Sequence, residues 1–215
     1  MAPRSFTRAL LAAADAVQGS APELNELDAY AGDGDLGVTM SQAARLLREV
    51  VEGAKDMQAS QLLAACGAAI ARGAPSTSGT LVATGLLRAG RALAGAGDDS
   101  ANTVKVMGEC FSAALEAIAA RGKASIGDRT LVDGLGAVCS SLEASVEEGL
   151  AGPEALRRAA LAAAKAAGAT ASMLPKAGRA SWVPERALGH PDAGCALLAK
   201  VLEAAAGSWR DDDEA

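Results

Sequence analysis

Asp28, Asp33 and Asp35 fall within the eleven residues Leu27-Asp28-Ala29-Tyr30-Ala31-Gly32-Asp33-Gly34-Asp35-Leu36-Gly37. Carboxylates brought this close repel by a few kcal/mol per pair at an effective dielectric of about 20, so the cluster calls for a cation. Hard oxygen donors suit Mg²⁺, which usually arrives with substrate phosphates. Gly32, Gly34 and Gly37 give the chain the freedom to gather the three side chains. The plain alternative is a helix end followed by an Asp-Gly turn. An EF-hand fails on spacing: twelve positions counted from Asp28 reach Thr39, and from Asp33 they reach Ala44, neither of which is the required Glu.

Three other segments hold groups that could meet an anion. Pro75-Ser76-Thr77-Ser78-Gly79-Thr80 precedes an apolar helical run, and hydroxyls with free amides at a helix start form either an anion site or an ordinary N-cap. No G-x-x-x-x-G-K-[ST] sequence is present, which excludes a Walker-type phosphate loop. The loop from Gly122 to Leu131 ends in Thr130-x-x-Asp133, a capping-box pattern. The segment from Gly178 to Gly194 concentrates Arg179, Trp182, Arg186, His190 and Asp192; a guanidinium there could stabilise a transferring phosphoryl group. His190 is the sole histidine, so no multi-histidine zinc site can form; it reads as a structural hydrogen-bonding residue, with a catalytic base as the alternative.

These segments separate stretches with apolar residues at helical spacing and no strict alternation. Long helices are predicted near 4–18, 38–53, 60–73, 78–95, 101–121, 130–149, 153–173 and 192–207. A short helix near 21–31 would be opened by a capping box at Ser20-Ala21-Pro22-Glu23. Most connections are short, so the expected fold is all-α, an up-and-down antiparallel barrel or bundle. The segment from Leu174 to Pro191 is long for a helix–helix connection, and such a loop is expected to be either functional or disordered. Hydrophobic residues make up 50% of the chain but aromatics only 2%, so the core must be built of Ala, Leu and Val.

A single domain over residues 1–215 is expected, with an acidic tail at 208–215. The net charge of −6 and the scarcity of aromatics argue against nucleic acid as a partner. Cys66, Cys110, Cys139 and Cys195 form no C-x-x-C pair and read as buried thiols in a reducing compartment. Asp15 interrupts the apolar run at the start, which argues against a signal peptide. No apolar stretch reaches the ~18 residues of a membrane span. A cytoplasmic location is expected.

Taken in order, Leu27-Asp28 … Gly32-Asp33-Gly34-Asp35-x-Gly37, Ser78-Gly79-x-Leu81, Arg121-Gly122-Lys123-Ala124 … Gly127-Asp128-Arg129-Thr130 and Gly178-Arg179-Ala180-Ser181 … Gly189-His190-x-Asp192-x-Gly194 resemble the nucleotide-binding L subunit (DhaL, or DAK2 domain) of dihydroxyacetone kinases. The resemblance covers nearly the whole chain. It implies an eight-helix up-and-down barrel in which Asp28, Asp33 and Asp35 coordinate two Mg²⁺ ions bridging ATP or ADP phosphates. By the same resemblance, Leu36, Gly37, Val38 and Thr39 approach the phosphates, Thr77 and Ser78 add donors, Gly122 and Leu131 line the adenine pocket, and Arg179 with Asp192 closes the site.

The implied activity is that of half an enzyme. This subunit presents Mg-ATP, and a separate K subunit holds dihydroxyacetone or a related short ketose covalently on a histidine. Two alternatives stay open: a phosphotransferase-system form whose tightly bound ADP is rephosphorylated by a phosphocarrier subunit, and a non-catalytic nucleotide-binding regulatory module. A homodimer also stays open. Three segments depart from the family pattern: Leu36 replaces a common His or Cys, Pro75-Ser76-Thr77-Ser78 replaces Gly-Gly-Ala-Ser, and Trp182-Val183-Pro184 replaces Tyr-Leu-Gly.

Overall fold

Eight long helices close into a ring. In the computed structural model, which describes residues 2–54, 56–96 and 103–209, they are α1 (Arg4–Gly19), α3 (Leu36–Gly53), α4 (Ala59–Gly73), α5 (Thr77–Gly95), α6 (Thr103–Gly122), α7 (Leu131–Glu147), α8 (Gly152–Thr170) and α10 (Ala193–Ser208). Each packs on the next, and α10 returns to pack on α1. The short α2 (Ala21–Ala29) lies against α3 and α10. A 3₁₀ turn (Arg179–Trp182) and the one-turn α9 (Pro184–Ala187) interrupt the long connection between α8 and α10. No strand occurs among the described residues. The acidic tail from Arg210 onward and the connection at 97–102 lie outside the described residues.

Small side chains make this closure possible. Ala155, Ala159 and Ala163 of α8 are fully buried, together with Val138 and Leu142 of α7. On the opposite side, Leu24, Met40, Ala43, Ala44, Ile70 and Leu197 join α2, α3, α4 and α10 in a second cluster. Alanine and glycine surfaces let helix axes approach closely, as ridge-into-groove packing requires.

Local signals set most helix boundaries. Thr130 Oγ1 accepts from Val132 N (3.2 Å), and Asp133 Oδ2 accepts from Thr130 N (2.8 Å), completing the expected capping box of α7. Ser76 Oγ caps α5 by accepting from Gly79 N at 2.9 Å. The box expected at Ser20 does not form. Helices α1 and α2 are nearly continuous there, and Ser20, with ψ of 0°, sends its own N–H to Ala16 O as a C-cap, so its side chain makes no cap bond.

Alternating helix directions put every connection that carries a motif at one end of the barrel: 30–35, 74–76, 123–130 and 171–192. The other end holds Ala2 N donating to Met57 O (2.7 Å) and Arg8 Nε donating to Ser208 O (2.8 Å).

Candidate functional site

The loop after α2 winds around one carboxylate. Asp28 Oδ2 accepts from Gly34 N (2.9 Å) and Asp35 N (3.1 Å), which turns Asp33 and Asp35 back toward it. Oxygens of Asp28, Asp33 and Asp35 come within 4.8 Å of one another. Of the three glycines, only Gly34 takes a left-handed φ, at +76°. The other two supply room: a methyl group on Gly32 would meet Asp28 Oδ1 at 2.3 Å, and one on Gly37 would meet Ala21 O at 2.0 Å.

Arg179 reaches this loop from 146 residues away and forms an ion pair with Asp33. Its guanidinium holds the Asp33 carboxyl below the ordinary range. Asp35 is pushed the other way, first by partial desolvation and then by the charge of Asp33. Three carboxylates against one guanidinium leave the cluster strongly negative, and hard oxygen donors at this spacing fit a divalent cation such as Mg²⁺.

The start of α3 differs from the sequence expectation. Leu36 is helical and 8% exposed, packed in the core with Met40. Gly37 N and Val38 N donate to Asn25 Oδ1 at 2.7 and 3.2 Å, and Thr39 N donates to Asp35 O. The amides of Gly37, Val38 and Thr39 thus each have a partner within the chain. Asn25, which sequence reasoning missed, does the capping from α2. The Val38 side chain is exposed.

The remaining expected residues share this end. Thr77 is exposed, and Ser78 is half-buried with its hydroxyl 3.2 Å from Ser76 Oγ. Ala74 and Leu36 belong to one core cluster, and α3 and α5 are in contact. Leu81, Ala124 and Leu131 pack around Ile118 and Val132, and a methyl group on Gly122 would sit 3.7 Å from Leu81; an apolar wall results. Asp192, expected to close the site, is the N-cap of α10: its Oδ1 accepts from Cys195 N at 2.8 Å. Burial pushes its carboxyl up, against the Cys195 N–H and the Arg129 charge.

The sequence motifs contain Arg129 and Tyr30 but give neither a role. Arg129 is buried, with φ at +59°. Its Nε donates to Thr170 O (3.1 Å), and its Nη2 donates to Ala187 O (3.0 Å) and His190 O (2.7 Å). The His190 ring stacks on Tyr30 with centroids 3.3 Å apart and planes 11° apart. The clue lay in two unmatched rings and a left-handed arginine, which no local pattern announces. A cavity of about 400 Å³ lies at the far end between Thr103, Ala151, Pro153 and Trp209; its charged residues, Glu154 and Arg157, pair with each other.

The DAK2 domain family model matches residues 30–207. The chain belongs to the DAK2 domain family. It is 38% identical over 208 residues to the L-erythrulose kinase of Pectobacterium atrosepticum, covering 95% of this chain and 34% of that protein. Against the ADP-binding subunit DhaL of the PEP-dependent dihydroxyacetone kinase of Escherichia coli, it is 30% identical, covering 84% of each. The crystal structure of the C. freundii dihydroxyacetone kinase in complex with AMP-PNP and Mg²⁺ superposes with a TM-score of 0.75 at 27% identity, over 97% of this chain and 34% of that one. The chain spans about a third of the length of the first curated relatives it matches. The family's helical fold is the one observed, and no described helix is long and apolar enough to cross a membrane.

Proposed function

We propose that this chain is the nucleotide-binding unit of a short-ketose kinase of the dihydroxyacetone type, presenting Mg-ATP for γ-phosphoryl transfer to a ketose held on a K unit. The observation that carries the reading is the convergence of Asp28, Asp33 and Asp35 within 4.8 Å at the barrel end, with Arg179 delivered onto Asp33. The erythrulose kinase and DhaL relatives, and the AMP-PNP and Mg²⁺ complex of the structural neighbour, support it.

Asp28, Asp33 and Asp35 would hold two Mg²⁺ ions, which when bound neutralise charge on the phosphate oxygens. Arg179 supplies a positive group at the edge of the cluster, where charge on a transferring phosphoryl group needs a partner. Thr77 and Ser78 offer hydroxyls from the start of α5, and Gly122 and Leu131, with Leu81, form the wall for the base. Asp192 acts from behind by fixing the start of α10. No residue here serves as a nucleophile: positioning and electrostatics are this chain's contribution.

Asp33→Ala should abolish Mg²⁺-dependent ADP binding in calorimetry while far-UV circular dichroism stays helical; unchanged affinity sinks the metal assignment. Activity is tested with a K unit supplied, using dihydroxyacetone and erythrulose as acceptors. The match to DhaL over 84% of both chains favours a second form, in which bound ADP is rephosphorylated in place by a phosphocarrier subunit. Exchange of labelled ADP with free ATP separates the two: ready exchange supports the ATP-dependent kinase, and retention supports the phosphocarrier form.

A further inference from the structure

Arg129 lies outside the carboxylate cluster, yet its three hydrogen bonds are distributed in a telling way. They end on the carbonyls of Thr170, Ala187 and His190, which stand at the start, near the end and at the close of the 171–192 connection. That connection has little hold on the core by itself. Between 171 and 192 only Pro175 and Ala187 are buried, and one of them is held by Arg129 through its carbonyl. Lys176 N donating to Asp128 O (3.0 Å) adds a backbone tie to the residue beside Arg129. Gly189 N donating to Ala171 O (2.8 Å) closes the segment on itself.

Three contacts of this closed segment fall on the aspartate loop or its approach. Arg179 pairs with Asp33, Arg186 Nη2 donates to Ala29 O (3.4 Å), and His190 stacks on Tyr30. We infer that Arg129 is a positioning residue that pins the 171–192 segment to the α6–α7 loop and so presents the Arg179 guanidinium to the carboxylate cluster. The inference rests on the reading of that cluster as a nucleotide-phosphate site. A buried guanidinium and a left-handed non-glycine backbone are both unfavourable, and such features persist where the surroundings over-determine them. Arginine is required because its planar fork offers five donors to carbonyls at diverging angles, whereas a lysine ammonium cannot span them.

The test uses Arg129→Lys, Arg179→Ala and the double variant of the full chain. Without nucleotide, amide hydrogen exchange across 176–188 should quicken by about tenfold or more in Arg129→Lys while the long helices keep their protection. Wild-type exchange in that segment overturns the anchoring. With Mg-AMP-PNP, calorimetry should show Arg129→Lys weakening binding by about threefold to tenfold, and by nothing further in the Arg179→Ala background. An equal loss in both backgrounds overturns the positioning role and leaves a general structural one. If the wild-type chain does not bind Mg-AMP-PNP, the nucleotide reading fails, and hydrogen exchange alone decides the anchoring. Arg129→Gln takes the place of the lysine variant if the latter does not fold.

Discussion

Asp33 and Asp35 stand two residues apart, and their surroundings drive them in opposite directions. Arg179 favours the charged form of Asp33, while partial desolvation and the Asp33 charge disfavour that of Asp35. A raised folded-state pKa means that Asp35 destabilises the metal-free fold above its unfolded value, 3.8, and ceases to do so below it. Asp35→Asn should therefore raise metal-free stability at pH 7 by up to about 1 kcal/mol, given its exposure, with the gain gone below about pH 3.8 in denaturant melts. The same variant should lose Mg²⁺-dependent nucleotide binding. Arg179→Ala should leave the melting temperature nearly unchanged, because its ion pair is exposed, yet weaken Mg-nucleotide binding by about tenfold in calorimetry. The two variants thus separate stability from function in the same cluster.

At the scale of elements, the α2–α3 corner decides whether the carboxylates meet. Leu36 begins α3 two residues earlier than the spacing predicts and so joins the inward stripe of Met40, Ala43 and Ala44. Asn25 caps the same helix from α2. Asn25→Ala leaves two α3 donors without their acceptor and should cost about 1–2 kcal/mol in chemical denaturation. Gly37→Ala would drive a methyl group into Ala21 O, push α2 and α3 apart, and cost about 1–3 kcal/mol. It should also weaken Mg-nucleotide binding, since Asp28 lies on α2 and Asp35 borders α3. A wild-type melting curve for Gly37→Ala would show that the corner is looser than its contacts imply.

For the whole molecule, the ring holds because its interior is lined with alanine. Ala159 and Ala163 are fully buried on α8, so Ala163→Leu should overpack the barrel and cost about 1–3 kcal/mol by denaturant titration, with loosening on the α7 and α10 sides. The same packing protects the thiols. Burial pushes Cys66 and Cys110 up to about 11, and Cys195 lies higher still, with burial and the nearby Asp192 charge as causes. At pH 8 only about one in a thousand of the Cys66 and Cys110 thiols is ionised. A disulfide-exchange reagent should therefore titrate these cysteines slowly in the native protein and rapidly in guanidinium chloride. Fast native labelling would mean that the barrel opens far more often than its packing suggests.

The amino-acid sequence by itself determined the helices, their approximate ends and the aspartate trio. All three follow from interactions within a few residues: 3.6-residue periodicity, the Thr130–Asp133 cap and the Gly-Asp-Gly-Asp turn. It determined the composition of the core for the same reason, since a chain with 2% aromatics has little but aliphatic side chains to bury. The burial of Leu36 was decided only by the register of α3 against the core, and the capping bond of Asp192 by the start of α10. The pairing of Arg179 with Asp33, the stack of His190 on Tyr30 and the anchoring bonds of Arg129 join residues 41 to 160 positions apart. No local pattern encodes such contacts. They exist because eight helices of alternating direction close into a ring and bring four separate connections to one end.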